Sequence, residues 1–188
     1  MTDLIWNSEI YEAAEDATTL ASSAATPAPH DVDPRLLRNT LGNFATGVTV
    51  VTYASGGAYH GVTVNSFTSV SLDPPLVLVS LMRTSRALTY LLERPFAINI
   101  LGDAQMDTAM AFAGRPKEGH VIEWVTDEGA PRINNSLAYF QCTPWAGYDG
   151  GDHVLLIGKV SSYGQQDETK PLLFYRGKWG LLAPDSDA

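Results

Sequence analysis

The stretch "GVTVNSFTSVSLDPP", Gly61 to Pro75, decides how this chain is read. It opens as a half-buried strand, with Val62 and Val64 on one face and Thr63 and Asn65 on the other. It then fills with hydroxyls and stops at Asp73-Pro74-Pro75. Taken as one strand, the face bearing Val62, Val64, Val70 and Leu72 has Ser66 and Thr68 at its middle, while Thr63, Asn65, Ser69 and Ser71 share the other. A buried hydroxyl or amide left without a partner costs about 1–3 kcal/mol. A strand so rich in them is expected to lie against something polar.

The flanking sequence continues in strand grammar. Upstream, "GVTVVTYA" and "YHGVTVNSF" flank a Ser55-Gly56-Gly57 turn and read as a hairpin. Downstream, "LVLVSLM", Leu76 to Met82, is apolar on both faces and reads as a central strand. Further strands are expected at "FAINIL", "AYFQCTPWAGY", "HVLLIGKVSSYG" and "PLLFYRGKWGLL", with turns at Gly150-Gly151-Asp152 and Gln165-Gln166-Asp167. Three short helices interrupt them. The first starts at Pro34 behind an Asp33 cap, places Leu37, Leu41 and Phe44 on one face and ends by Gly47. The second starts at Ser85 and stops at Arg94-Pro95; the third is capped by Asp103 and runs to Gly114. The segment between Gly114 and Ser136 reads as charged loop. Many strands without βαβ alternation predict a mainly β protein, an antiparallel barrel with helical decorations.

Composition narrows the function classes. A chain of 188 residues suits one substantial domain, expected here over 33–182. Residues 1–32, rich in Ala, Ser, Thr and Pro, read as a disordered or loosely docked tail in which Ile5, Trp6, Ile10 and Tyr11 could form a docking helix, and 183–188 read as a C-terminal tail. Twelve basic against 21 acidic residues give a net charge of −9, which argues against nucleic acid or an anionic membrane as partner. A lone Cys142 and the lack of a secretory or membrane-spanning pattern point to the cytoplasm. No spacing of His, Cys, Asp or Glu suggests a metal. No Gly-x-Gly-x-x-Gly loop is present, so any dinucleotide must be held differently from the usual fold.

One basic cluster stands out in this acidic chain. At "MRTSRAL" two hydroxyls and two guanidinium groups gather where a strand gives way to a helix, an arrangement that serves a phosphate or merely caps a surface helix. With the hydroxyl-rich strand just upstream, a ligand with a phosphate at one end and a flat, polar-edged ring at the other would use both segments.

Taken in order, "LGNFATGVTVVT", "GVTVNSFTSVSLDPPLVLVSL", "RTSRAL", "FAINIL", "GDHVLLIGKV" and "PLLFYRGKW" resemble the flavin reductase family. Its members have an FMN-binding split β-barrel of Greek-key type and serve as the reductase component of two-component flavin-dependent monooxygenases. The resemblance covers about Pro34 to Leu182. It implies that Thr63, Val64, Asn65 and Ser66 embrace the flavin, that Arg83, Ser85 and Arg86 hold its phosphate, and that Asn99 joins them. It places His153 of Gly151-Asp152-His153 beside the nicotinamide, and Tyr175 and Arg176 near the flavin edge. Read without it, Asn99 is equally a residue bonding to neighbouring backbone and His153 a turn histidine satisfied by Asp152. The implied activity is NADH- or NADPH-dependent reduction of FMN, with FAD possible, for a partner monooxygenase, in a homodimer. Two alternatives stay open: an oxidoreductase that retains FMN and reduces another acceptor, and a non-catalytic flavin- or haem-binding split barrel.

Overall fold

The computed structural model describes residues 32–183 apart from 128 and 168; the expectations for Ile5, Trp6, Ile10, Tyr11 and the end of the C-terminal tail lie outside them. The chain divides into two units, 1–38 and 39–188. The Asp33 carboxylate accepts from the Arg35 N–H at 2.8 Å and so caps helix α1, Pro34–Leu41. This helix ends six residues before Gly47, because the Asn43 side-chain amide donates to the Asn39 and Thr40 carbonyls at its last turn. Leu37, Leu41 and Phe44 are exposed.

The strands of the second unit begin with β1 (Thr46–Gly47), β2 (Thr49–Ser55), β3 (Ala58–Val64), β4 (Thr68–Leu72) and β5 (Pro75–Met82). Helix α2 (Arg86–Leu91), β6 (Phe96–Ile100), a single 3-10 turn at Asp103–Gln105 and α3 (Met106–Phe112) follow. The expected loop holds two short strands, β7 (Trp124–Val125) and β8 (Arg132–Ile133). Then come the long hairpin of β9 (Ala138–Gly150) and β10 (His153–Gln165), and β11 (Leu172–Tyr175) with β12 (Lys178–Leu181). The C-terminal run expected as one strand is thus a hairpin, turned by Arg176 and Gly177, both at positive φ. The third helix opens without help from the Asp103 carboxylate; the Gln105 side chain accepts the Gly102 N–H at 3.0 Å.

Seven antiparallel strands form the main sheet in the order β3-β2-β6-β9-β10-β5-β4, and β1-β11-β12 form a second. Gly56 and Gly57, at φ 60° and 76°, turn the β2–β3 hairpin as its sequence predicts. The stretch Gly61 to Leu72 is not one strand. It breaks at Asn65-Ser66-Phe67, and its halves stand at opposite edges of the sheet. At that break the Ser66 hydroxyl donates to the Ser80 carbonyl at 3.0 Å and accepts the Ser80 N–H at 2.9 Å. One side chain does the work of a missing strand pair, stitching the end of β3 to β5 where the curled sheet is split. Inside, Val51, Val79, Leu81, Leu91, Phe96, Ile98 and Leu156 make the main core; on the other face of β2, Val48 and Val50 pack with Leu101, Ala109, Ile133 and Leu172.

Candidate functional site

The end of β3 is a ridge between two clefts. On one side Thr63, Val64, Asn65 and Ser66 line a space of about 460 Å³ together with Ser80, Thr84, Ser85 and His153. On the other, Thr63, Val64 and Asn65 line about 380 Å³ with Met110, Arg115, Phe174, Gly177 and Trp179. Both are of the size of small-molecule sites.

The hydroxyls of the opening stretch mostly hold the ridge in place. Thr63 Oγ1 donates to the Ala109 carbonyl of α3 at 2.7 Å, Ser66 is tied to Ser80, and Thr49 Oγ1 donates to the Val64 carbonyl at 3.0 Å. Asn65 is exposed and makes no side-chain hydrogen bond among the described residues. Strand-end hydroxyls therefore fix the backbone, and an open amide is left facing the groove.

The two arginines of "MRTSRAL" separate. Arg83 pairs with Asp149 at 2.7 Å, donates from Nε to the Gly151 carbonyl at 2.6 Å, and gives its backbone N–H to the Asp152 carbonyl at 3.0 Å. It clasps the β9–β10 turn instead of lining either cleft. Both side chains of this pair are exposed, so the pair adds little stability and its consequence is positional. The turn presents His153, whose Nδ1 donates to Asp152 Oδ1 at 2.6 Å, leaving Nε2 for the cleft. That bond from His153 holds the Asp152 carboxyl below its ordinary pKa. Asp149 is lowered too, first by the Gly151 N–H and then by Arg83. Arg86 makes no salt bridge among the described residues and lines a further cleft that meets the first at Val62 and Ser85.

Asn99 is engaged within the sheet. It is 0% exposed; its amide donates to the Val50 carbonyl at 2.9 Å and to Thr52 Oγ1 at 3.0 Å, and its Oδ1 accepts the Ile133 N–H at 2.8 Å. Both amide hydrogens are therefore engaged by the chain. Tyr175 and Arg176 stand at the β11–β12 turn with Arg176 donating to Asn43 Oδ1, and their neighbours Phe174 and Gly177 face the groove instead. Sequence reasoning also passed over Thr46. Its hydroxyl is buried and has no hydrogen-bond partner among the described residues, and its strand places it opposite Phe174. No period or spacing marks such a residue, because an orphaned hydroxyl is visible only once its surroundings are known.

Residues 41–182 match the family model of the flavin reductase like domain. The chain belongs to the flavin reductase-like family. Among its relatives is the reductase subunit HsaB of a flavin-dependent monooxygenase from Rhodococcus jostii, 40% identical over 158 residues, which cover 82% of this chain and 80% of the relative. An NADH-dependent flavin reductase from a Rhodococcus species is 40% identical over 156 residues, 81% of this chain and 88% of that one. The solved structure of the flavin reductase PheA2 superposes with a TM-score of 0.77 at 41% identity, covering 81% of this chain and all of the other. The split barrel is thus that of a flavin reductase fold.

Proposed function

We propose that this protein is an NADH-dependent flavin reductase that supplies reduced flavin to a separate monooxygenase component. The observation that carries the reading is the chemistry of the 460 Å³ cleft: hydroxyls and the Asn65 amide line it beside Val62, Val64, Leu81 and Met82, and His153 is the one ionisable side chain among these lining residues. Such a lining suits a ligand that brings its own reactivity. A bound flavin supplies the hydride acceptor for a reduced nicotinamide. Because a hydride carries both electrons, the chain need not provide a strong acid or base.

The residues present fit that group. The orphaned Thr46 hydroxyl and the open Asn65 amide have hydrogen bonds to give, and the backbone of Val62–Ser66 is held by Thr49, Thr63 and Ser66. Thr63, Val64, Asn65 and Ser66 hold the flavin; Ser85 and Arg86 take its phosphate, with the guanidinium as the charged donor. His153, fixed by Asp152 and by the Arg83 clasp, positions the nicotinamide through Nε2. Arg83 acts through the turn and not on the phosphate.

A homodimer is the working assembly; exposed Leu72, Tyr163 and Phe44 are apolar surface that a second copy would cover. None of the helices among the described residues is long and apolar enough to cross a membrane, and a cytoplasmic site suits the lone, buried thiol of Cys142. Following reduced-nicotinamide absorbance with and without free FMN, FAD or riboflavin tests the activity. Loss of signal only when flavin is added is expected, and no flavin-dependent loss overturns the reading.

A further inference from the structure

Met82 has no role in the scheme above beyond lining its central cleft, yet it is the most readily oxidised side chain in that wall. It ends β5 opposite His153 in the strand register, and its carbonyl accepts the Ser85 N–H at 2.9 Å. Residues directly opposite in an antiparallel pair project from the same face, with Cβ atoms about 4.5–5.5 Å apart. The Met82 thioether is therefore a neighbour of the His153 imidazole. The next residue ties the pair down, since the Arg83 N–H donates to the Asp152 carbonyl at 3.0 Å. Met82 is nevertheless 54% exposed. A sulfur held at the wall of a cleft and open to solvent meets any small oxidant that enters. The other sulfur atoms among the described residues are placed differently. Met110 lines the cleft on the far side of the ridge and is half-buried, Met106 is 44% exposed but is not among the residues lining either cleft, and Cys142 is buried in the core.

The reaction proposed for this cleft brings the oxidant with it. Reduced flavin that no oxygenase takes up gives two electrons and two protons to dioxygen, leaving oxidised flavin and hydrogen peroxide. A lone pair of the Met82 sulfur attacks one peroxide oxygen, so that a sulfur–oxygen bond forms and the oxygen–oxygen bond breaks. The second oxygen leaves as hydroxide and takes the proton left on the sulfoxide, giving water. Sulfur is oxidised by two electrons and the peroxide reduced by two. We propose that Met82 is a reversible oxidation site through which hydrogen peroxide turns down flavin binding in this cleft; the proposal rests on the flavin-reductase reading. The thioether shares the apolar part of the wall with Val62, Val64 and Leu81. Its sulfoxide puts a strong dipole there, beside His153, and replaces a flexible apolar contact for a flat ring by a polar group that keeps its water. A reductase that outruns its oxygenase thus restrains itself.

The test treats the full chain with hydrogen peroxide, maps each methionine by peptide mass spectrometry and titrates riboflavin by fluorescence quenching at the same time points. Riboflavin affinity of wild type is expected to fall about tenfold, the lower end of what one buried methionine side chain contributes, in step with the gain of one oxygen on Met82. Methionine sulfoxide reductases should restore it. Met106→Leu should lose affinity as wild type does, because Met106 takes up oxygen without touching the cleft. Met82→Leu should keep through the treatment whatever affinity it starts with, and Met82→Gln, polar and of similar length, should start at the lowered value. Hours of aerobic turnover with NADH and riboflavin should oxidise Met82 without added peroxide, and catalase should prevent it. Met82 that resists peroxide, Met82 oxidised with riboflavin affinity unmoved, or Met82→Leu losing as much affinity as wild type overturns the proposal. Untreated wild type separates the two readings: riboflavin bound and reduced normally, but with an affinity blind to Met82 oxidation, removes this site alone, whereas riboflavin neither bound nor reduced removes the reductase reading and this site with it.

Discussion

Around Asn99 the sheet closes over its polar atoms, and around Asn65, which ends a strand two places away, it leaves them open. Asn99, Thr52 and Gln141 are buried and bonded to one another or to the backbone of residues 130–133, pinning that segment to the sheet. Asn65 lies at the break between β3 and β4, where no neighbouring strand takes up its amide. Both asparagines directly follow a branched apolar residue, Val64 and Ile98. What separates a structural amide from a binding one is whether the fold has already used its hydrogen-bonding capacity.

The largest expected effect falls on the closed cluster. Asn99→Ala strands the Val50 carbonyl, the Ile133 N–H and part of the Thr52 bonding, and should cost about 3 kcal/mol or more in a urea unfolding curve. Flavin affinity of the protein that remains folded should not change. A variant as stable as wild type but deficient in flavin binding would place Asn99 in the site after all.

Next comes the open side. Arg86→Ala should weaken FMN binding by about 1.5–3 kcal/mol, the range for a charged hydrogen bond, and leave riboflavin, which has no phosphate, nearly untouched. Fluorescence-quenching titrations of the two flavins measure the difference. Equal losses would put the phosphate elsewhere.

A smaller effect is expected at the arginine that the β9–β10 turn engages. His153→Ala should slow hydride transfer from NADH roughly tenfold through poorer alignment, with FMN affinity unchanged, in stopped-flow reduction of the bound flavin. Arg83→Met should shift the same quantity in the same direction by less, because it loosens the turn and not the ring. Were Arg83→Met to weaken FMN and spare riboflavin, the clasp would be a phosphate ligand. The clasp also has a pH signature. The Asp149 pKa is lowered in the folded chain, so its contribution is complete above the ordinary carboxylate range and disappears as pH falls through the lowered value. Moving from neutrality to about pH 5 should therefore not imitate Arg83→Met.

The smallest expected effect is on Cys142, 1% exposed and with its thiol pushed up to about 12 by burial. Thiol reagents at about pH 8 should label it only after denaturation, since the thiolate is the reactive form. Stoichiometric labelling of the native chain, followed by mass spectrometry, would show that the core opens far more readily than its packing implies.

How far these distinctions were legible differs by residue. The Gly56-Gly57 turn, the β5 strand and the antiparallel β character follow from local rules, because backbone freedom at glycine and side-chain alternation act within a few residues. The resemblance led to Thr63, Val64, Asn65, Ser66, Ser85 and His153, and the fold does bring these around one cleft. Asn99 is ambiguous in the sequence because the same amide serves a ligand or a carbonyl equally well. Thr46 was silent because its significance is a missing partner.

The sequence by itself determined which segments are strands, where several of the turns fall and that the chain carries few basic groups for an anion. Only the tertiary structure decided that Gly61 to Leu72 is cut in two, since the cut depends on β3 and β4 joining opposite edges of a seven-stranded sheet. It alone separated Arg83 from Arg86, three residues apart, by bringing Asp149 and Gly151 to one of them across 66 and 68 positions of chain. Propensity and pattern are local, whereas the pairing of a charge or an amide is settled by whatever the rest of the chain delivers to it.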